Sequence, residues 1–305
     1  MVVADWRKAD ASTLQSCYEQ EARHWQSELG WDTTEAWSTV EQARLTWGLP
    51  GLVAFDGPHV EGWTFYTRET DRLEVGALVS NSASTTSHLL ESVIEAGKDL
   101  ARTSCFILDR APNLRPELVR HGFEVEDFLY LSRRLTPDTD AAAPEKIAGD
   151  SWRDEDVNPA AALLRAAYSP EGGRHFAPHG LRGEWARYVR NMVEQTGCGI
   201  LDPWSTRVVR AGDTLQALVL VTAIAPKTAH IAQVAVHPDR RRQRLAERLV
   251  GEACELAAST GREEITLLVG ESNVAARSLY ERLGFVPRAT FIAAHLQTQP
   301  SDPGL

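Results

Sequence analysis

Short apolar runs that alternate every second residue take turns along the chain with longer stretches whose apolar residues recur at three- and four-residue steps, the pattern of strands interleaved with helices. In the second half this predicts a strand near "KIAGDSW", helices at "PAAALLRAAY" and "LRGEWARYVRNMVEQT", and strands at "TRVVRAG", "LQALVLVTAIA" and "HIAQVAVH". An arginine-crowded turn opens the helix "RLAERLVGEACELAAST"; a strand "EITLLVG", a helix "NVAARSLYERLG" and a strand "FVPRATFIAAHL" close the series. Gly261 and Gly284 stand where helix C-termini favour positive φ.

The first half repeats the order more faintly. Strands at "GLVAFDG", "GWTFYTRE" and "RLEVGALV" lead through "SNSASTTS" into the helix "HLLESVIEAGKDLA", then a strand "SCFILDR", a helix "LRPELVRHG" and a strand "FEVEDFLYLSRRL". The closing cadence "LYERLGFVPRATF" echoes "ELVRHGFEVEDFL". A period of about 150 residues points to a duplicated domain rather than a solenoid. Residues 136–146, "TPDTDAAAPEK", are small, acidic and Pro-bearing, and read as a linker between domains at 1–135 and 147–305.

Composition fits this layout: 305 residues, 43% apolar and 24% charged, leave room for two soluble cores. No apolar run reaches the roughly 18 residues of a membrane span, and the N-terminus lacks a signal-type apolar stretch, so a cytoplasmic protein without a membrane partner is expected. Residues 1–140 hold 23 acidic against 13 basic side chains and the remainder is balanced, which argues against nucleic acid as a partner. Cys17, Cys105, Cys198 and Cys254 lack metal-ligand spacing, and no metal is expected.

The turn "VHPDRRRQRLAERL" changes the picture from fold to chemistry. Amides at a helix start have no intrahelical partner and carry the positive end of the helix dipole, so with Arg240, Arg241, Arg242 and Arg244 beside them a phosphate is the expected guest. A strand, such a turn, a helix, a strand and then Asn273 with "LYERLGF" resembles the GNAT superfamily of acyl-CoA N-acyltransferases, most fully over residues 147–296. The resemblance implies an α/β (α+β) fold of two GNAT-like domains, each a mixed, mostly antiparallel sheet flanked by helices.

It also implies acetyl-CoA as cosubstrate and an amine of a small molecule or peptide as acceptor, with a homodimer left open. The family's pyrophosphate loop, Gln/Arg-x-x-Gly-x-Gly/Ala, falls on Arg241, Arg242, Gln243, Arg244, Leu245 and Ala246, with Arg244 where the first glycine belongs. Arg244 either grips a phosphate or obstructs the loop; a left-handed conformation there would cost an arginine on the order of 1 kcal/mol. The pantetheine arm would lie along "VAV", placing Val234 and Val236 against it, and Asn273 would bond it.

Tyr280 matches the family's proton donor to the departing thiolate, and a packing aromatic is the competing reading. His230, where some members carry a glutamate, is the candidate base; strand alternation would put it on one face with Ala232, Val234 and Val236. Tyr168, His175 and His179 lie in the segment expected to cover the acceptor. In the first half the turn lacks Arg and Gly, and Leu118 replaces the tyrosine, so transfer is expected only in the second half. Within the family, mycothiol synthases share this length and layout; a coenzyme A-binding module without turnover is the alternative from another class.

Overall fold

The computed structural model describes all residues except 47, 137–148, 174, 175, 178, 195–198 and 298–305. The predicted linker therefore lies outside the described residues from position 137, as do His175 and Cys198. The chain forms two compact units: Met1–Tyr130 with Val269–Asn273 and Arg288–Leu305, and Leu131–Leu268 with Val274–Pro287.

The first unit begins with β1 (Val2–Asp5) and two helices, α1 (Ala11–Leu29) and α2 (Trp37–Leu45). The α1 start is fixed by Asp10, whose carboxylate accepts from the Thr13 amide, and its end by Gly30 at φ +74°. Three strands follow, β2 (Gly51–Asp56), β3 (His59–Arg68) and β4 (Arg72–Ser80), then α3 (Ala83–Gly97), β5 (Arg102–Leu108), α4 (Leu114–Arg120) and β6 (Glu124–Arg134). Neighbouring strands run antiparallel except β4 and β5, which are parallel. One face buries Leu89, Leu90 and Val93 of α3 with Leu114 and Leu118 of α4; the other packs Leu14 and partners from α1 and α2 on Trp6, Val53 and Trp63. Leu118, the counterpart of Tyr280, is thus a core residue.

The second unit contains β7 (Asp150–Ser151), α5 (Val157–Ala167), α6 (Pro170–Gly173) and α7 (Arg182–Glu194), followed by β8 (Ile200–Leu201), β9 (Arg207–Ala211), β10 (Thr214–Ala225) and β11 (Thr228–Val236). Next come α8 (Leu245–Ser259), β12 (Glu264–Gly270), α9 (Val274–Arg282) and β13 (Val286–Gln297). The order β7-β9-β10-β11-β12 is antiparallel except for the parallel pair β11/β12. Helices α5 and α7 cover the face carrying Val208, Leu218, Leu220 and Ala235. Each unit is therefore the mixed, mostly antiparallel sheet flanked by helices that the sequence led us to expect.

From Arg288 on, β13 belongs to the first unit and pairs antiparallel with β5, from Phe291/Leu108 to Gln297/Arg102. Ile292, Ala293 and Ala294 are fully buried there. Period-two alternation marks a strand but does not name its neighbour, so this pairing had no signature in the sequence.

Candidate functional site

In the second unit the parallel ladder of β11 and β12 runs from Thr228/Glu264 to Ile231/Leu267 and stops, while β11 continues to Val236. Beyond Ile231 no strand among the described residues pairs with it on the β12 side. The register against β10 slips at the same place: Leu220 faces Gln233 and Val221 faces Ile231, leaving Ala232 as a bulge.

The bulge corrects one expectation. His230 pairs across to Thr222 and Gln233 to Leu220, on the face that α5 and α7 cover, whereas Val234 and Val236 pair with Val219 and Ala217 on the other. One extra residue reverses the alternation, so His230 does not share a face with the two valines. It is buried, its Nδ1 lies 2.9 Å from Thr266 Oγ1, and burial pulls its pKa down to about 4.

After Val236 the chain makes a 3₁₀ turn, Pro238–Arg240, and then two left-handed residues, Arg242 at φ +62° and Arg244 at φ +56°, before α8. Among the described residues none of the amides from Arg242 to Glu247 has a backbone acceptor, and α8 has no side-chain cap. Alternating left-handed residues turn successive N–H groups inward, the arrangement that holds anions. The two conformations together cost about 2 kcal/mol for non-glycine residues. The side chains divide: Arg240 Nε donates to Gln216 Oε1 at 3.2 Å and Arg241 Nη2 to the Ala167 carbonyl at 2.7 Å, while the exposed guanidinium groups of Arg242 and Arg244 have no partner among the described residues.

The first unit's corresponding turn is closed on itself. Ser82 caps α3 by accepting from the Thr85 amide at 3.2 Å, and the Thr86 hydroxyl lies 2.6 Å from Ser80 Oγ and donates to the Pro112 carbonyl at 2.7 Å. A phosphate there would have to displace bonds already made.

Tyr280 on α9 is 7% exposed and meets Phe285 edge-on. Burial, with a smaller contribution from Tyr168, pushes its pKa above the ordinary phenol value, so it holds its proton at every working pH. The Tyr168 hydroxyl donates to Gln233 Oε1 at 2.9 Å, and Gln233 Nε2 donates to the Tyr188 hydroxyl at 2.6 Å. Phe176 and Trp185 complete an aromatic cluster with ring centroids 4.9 to 6.1 Å apart. Gln233 and Tyr188 were not among the expected residues; the available signal was a lone amide in the apolar run "IAQVAV".

His179 is occupied otherwise: its ring and amide both bond Glu184 near the start of α7. Asn273 precedes α9 and its amide donates to the Gly270 carbonyl at 3.0 Å. Cys105 and Cys254 are buried thiols pushed up to about 12 and about 11, which makes them inert. Among the described residues no cluster of His, Cys, Asp or Glu could hold a metal, and no helix is long and apolar enough to cross a membrane.

Comparison with known proteins agrees with the geometry. Residues 172–285 match the model of the Acetyltransferase (GNAT) family. A GCN5-related N-acetyltransferase from Sphaerobacter thermophilus superposes with a TM-score of 0.68 at 16% identity, over 98% of this chain and 96% of that one. A GNAT-family acetyltransferase from Colwellia psychrerythraea gives 0.55 at 12% identity, over 97% and 100%. A GCN5-related glucosamine N-acetyltransferase region of a fungal multi-domain β-N-acetylglucosaminidase gives 0.63 at 13% identity, over 97% of this chain and 38% of that one. No curated protein sequence matches the chain. Residues 172–285 thus match the GNAT acetyltransferase family, within a chain whose length shares the fold of solved proteins of that family.

Proposed function

We propose that the protein is an N-acetyltransferase that moves the acetyl group of acetyl-CoA to a primary amine of a small molecule or peptide, with its active site in the second unit. The observation that carries this reading is the run of amides from Arg242 to Glu247, turned by two left-handed arginines and without backbone acceptors. The first unit offers no such run, because Ser82 caps its helix.

The residues fit the cosubstrate in shape and charge. The amides would hold its pyrophosphate, with Arg242 and Arg244 placed to add charge-assisted bonds. The open edge of β11 past Ile231 offers backbone groups to an extended amide-bearing arm, beside Val234 and Val236. When bound, acetyl-CoA supplies a thioester carbonyl to an amine held beside it.

Tyr280, protonated and buried, donates its proton to the departing sulfur. Donation of the Thr266 hydroxyl to the Ala229 carbonyl, at 3.3 Å, makes His230 Nδ1 the hydrogen-bond donor and leaves Nε2 as the acceptor nitrogen. With a pKa at about 4, His230 is neutral at pH 7 and offers Nε2 as a hydrogen-bond acceptor to the amine, whose proton is lost to solvent before attack. The cluster of Tyr168, Phe176, Trp185 and Tyr188 walls the acceptor side.

The test is the full chain with acetyl-CoA, a panel of amines and a thiol reagent that reports released coenzyme A. Release that depends on an amine and is lost in Tyr280→Phe supports transfer. Coenzyme A binding without release for any amine favours a binding module.

A further inference from the structure

The splayed strand pair recurs in the first unit. There β4 and β5 pair only from Arg72/Arg102 to Val75/Cys105, and β4 carries its own bulge, at Gly76, where Phe65 faces Ala77 and Tyr66 faces Val75. Where the strands part lies a cavity of about 160 Å³, between α1 and strands β3, β4, β5 and β13. An interior space of roughly 150 Å³ is enough for a single benzene ring.

Its lining combines aromatic rings with carboxylates: Trp25, Trp63, Phe106 and Phe291 beside Glu21 and Glu61. Phe106 stacks on Phe291 at 5.4 Å yet remains 40% exposed, an apolar ring at the opening of the space. The Glu21 carboxylate is committed, since it accepts from Trp25 Nε1 at 2.8 Å and stands 3.9 Å from Arg110, which Glu28 also approaches at 3.6 Å. Glu61 is half-buried and its carboxylate has no hydrogen-bond or ion-pair partner among the described residues. Among the described residues the guanidinium lining the cavity is thus approached by two other carboxylates, His24 is the other basic side chain of the lining, and Glu61 stands without an ion-pair partner among indole and phenyl rings. Rings present their negative faces to cations, and partial burial strengthens the attraction of a charge for its counterion.

We propose that this cavity binds a small organic ammonium ion, its charge at Glu61 and its apolar body against Trp25, Trp63 and Phe106. The site stands apart from acetyl transfer: with Ser82 capping α3 and Leu118 in place of the tyrosine, the first unit binds the amine without acting on it. The acidic excess of residues 1–140 favours the approach of cations to it.

Calorimetry on the full chain with saturating coenzyme A tests the assignment, using benzylammonium chloride, neutral benzyl alcohol and sodium benzoate as probes of one size and three charges. Benzylammonium should bind at least about tenfold more tightly than either of the others, and Glu61→Gln should remove that advantage while leaving the unfolding midpoint unchanged. Glu74→Gln, which removes a carboxylate away from the cavity lining, should leave the preference intact. Absence of benzylammonium binding, equal or tighter binding of the alcohol or benzoate, or a Glu61→Gln variant with the wild-type preference would each overturn the proposal. Acetyl-transfer assays do not enter this measurement, so failure of the transferase reading and failure of this one are separable.

Discussion

Tyr168 donates a 2.9 Å hydrogen bond to the side-chain carbonyl of Gln233, and this amide, one residue past the β11 bulge, fixes the phenol whose ring packs on Phe176 and Trp185. The same amide donates to Tyr188, so one side chain bonds two phenols of the aromatic cluster. Gln233→Met keeps the volume and removes both hydrogen bonds. It should destabilise the chain by about 1 to 2 kcal/mol, the net worth of two partly buried hydrogen bonds, and raise KM for the amine more than KM for acetyl-CoA. Urea unfolding and steady-state kinetics check both parts.

Arg244 provides the second prediction. Arg244→Ala removes the guanidinium and keeps the left-handed strain; Arg244→Gly removes both. If the guanidinium grips phosphate, both variants should weaken coenzyme A binding by about 1.5 to 3 kcal/mol and reduce its salt dependence, measured by calorimetry. A glycine variant that binds more tightly than wild type would show that the arginine obstructs the loop.

Tyr280→Phe keeps the ring against Phe285 and deletes the proton donor. The expected outcome is a fall in kcat of roughly 10- to 1000-fold with coenzyme A affinity unchanged. Because burial raises the phenol's pKa, the defect should be constant across neutral pH and show no basic limb due to this residue. Unchanged turnover would assign Tyr280 to packing alone.

His230 couples stability to pH. Its folded pKa, about 4, lies below its ordinary value of 6.5, so between these values the unfolded chain binds the extra proton. The contribution to stability is complete above pH 6.5 and lost as pH falls toward 4, a change of about 3 kcal/mol. Unfolding midpoints measured from pH 7 to 4.5 should fall more steeply for wild type than for His230→Gln.

The turn that opens α8 was legible because its signal is local: a proline turn, a helix start and four arginines within a few residues. Most strands and helices were legible for the same reason, through their own periodicity. What escaped depends on non-local pairing. The bulge at Ala232 arises from registry with β10, so alternation counted along β11 alone put His230 on the wrong face. Helices α1 and α2 went unread; hydrophobic residues are sparse along them and only Leu14, Ala22 and Leu29 of α1 are buried. Gln233 was visible as a residue, but the phenols it joins lie 65 and 45 positions away.

The pairing of β13 with β5 also sets an order in time. On the ribosome β5 emerges well before its partner, because residues 109–285 must be made in between; at about 5 to 20 residues per second that interval is on the order of ten seconds or more. During it, β5 presents an edge with unpaired backbone groups and Phe106 beside it, a surface that invites pairing with other chains. Synthesis therefore leaves the first unit incomplete until the last strand arrives, and a nascent chain stalled before Arg288 should be held by chaperones or aggregate, whichever half carries the chemistry.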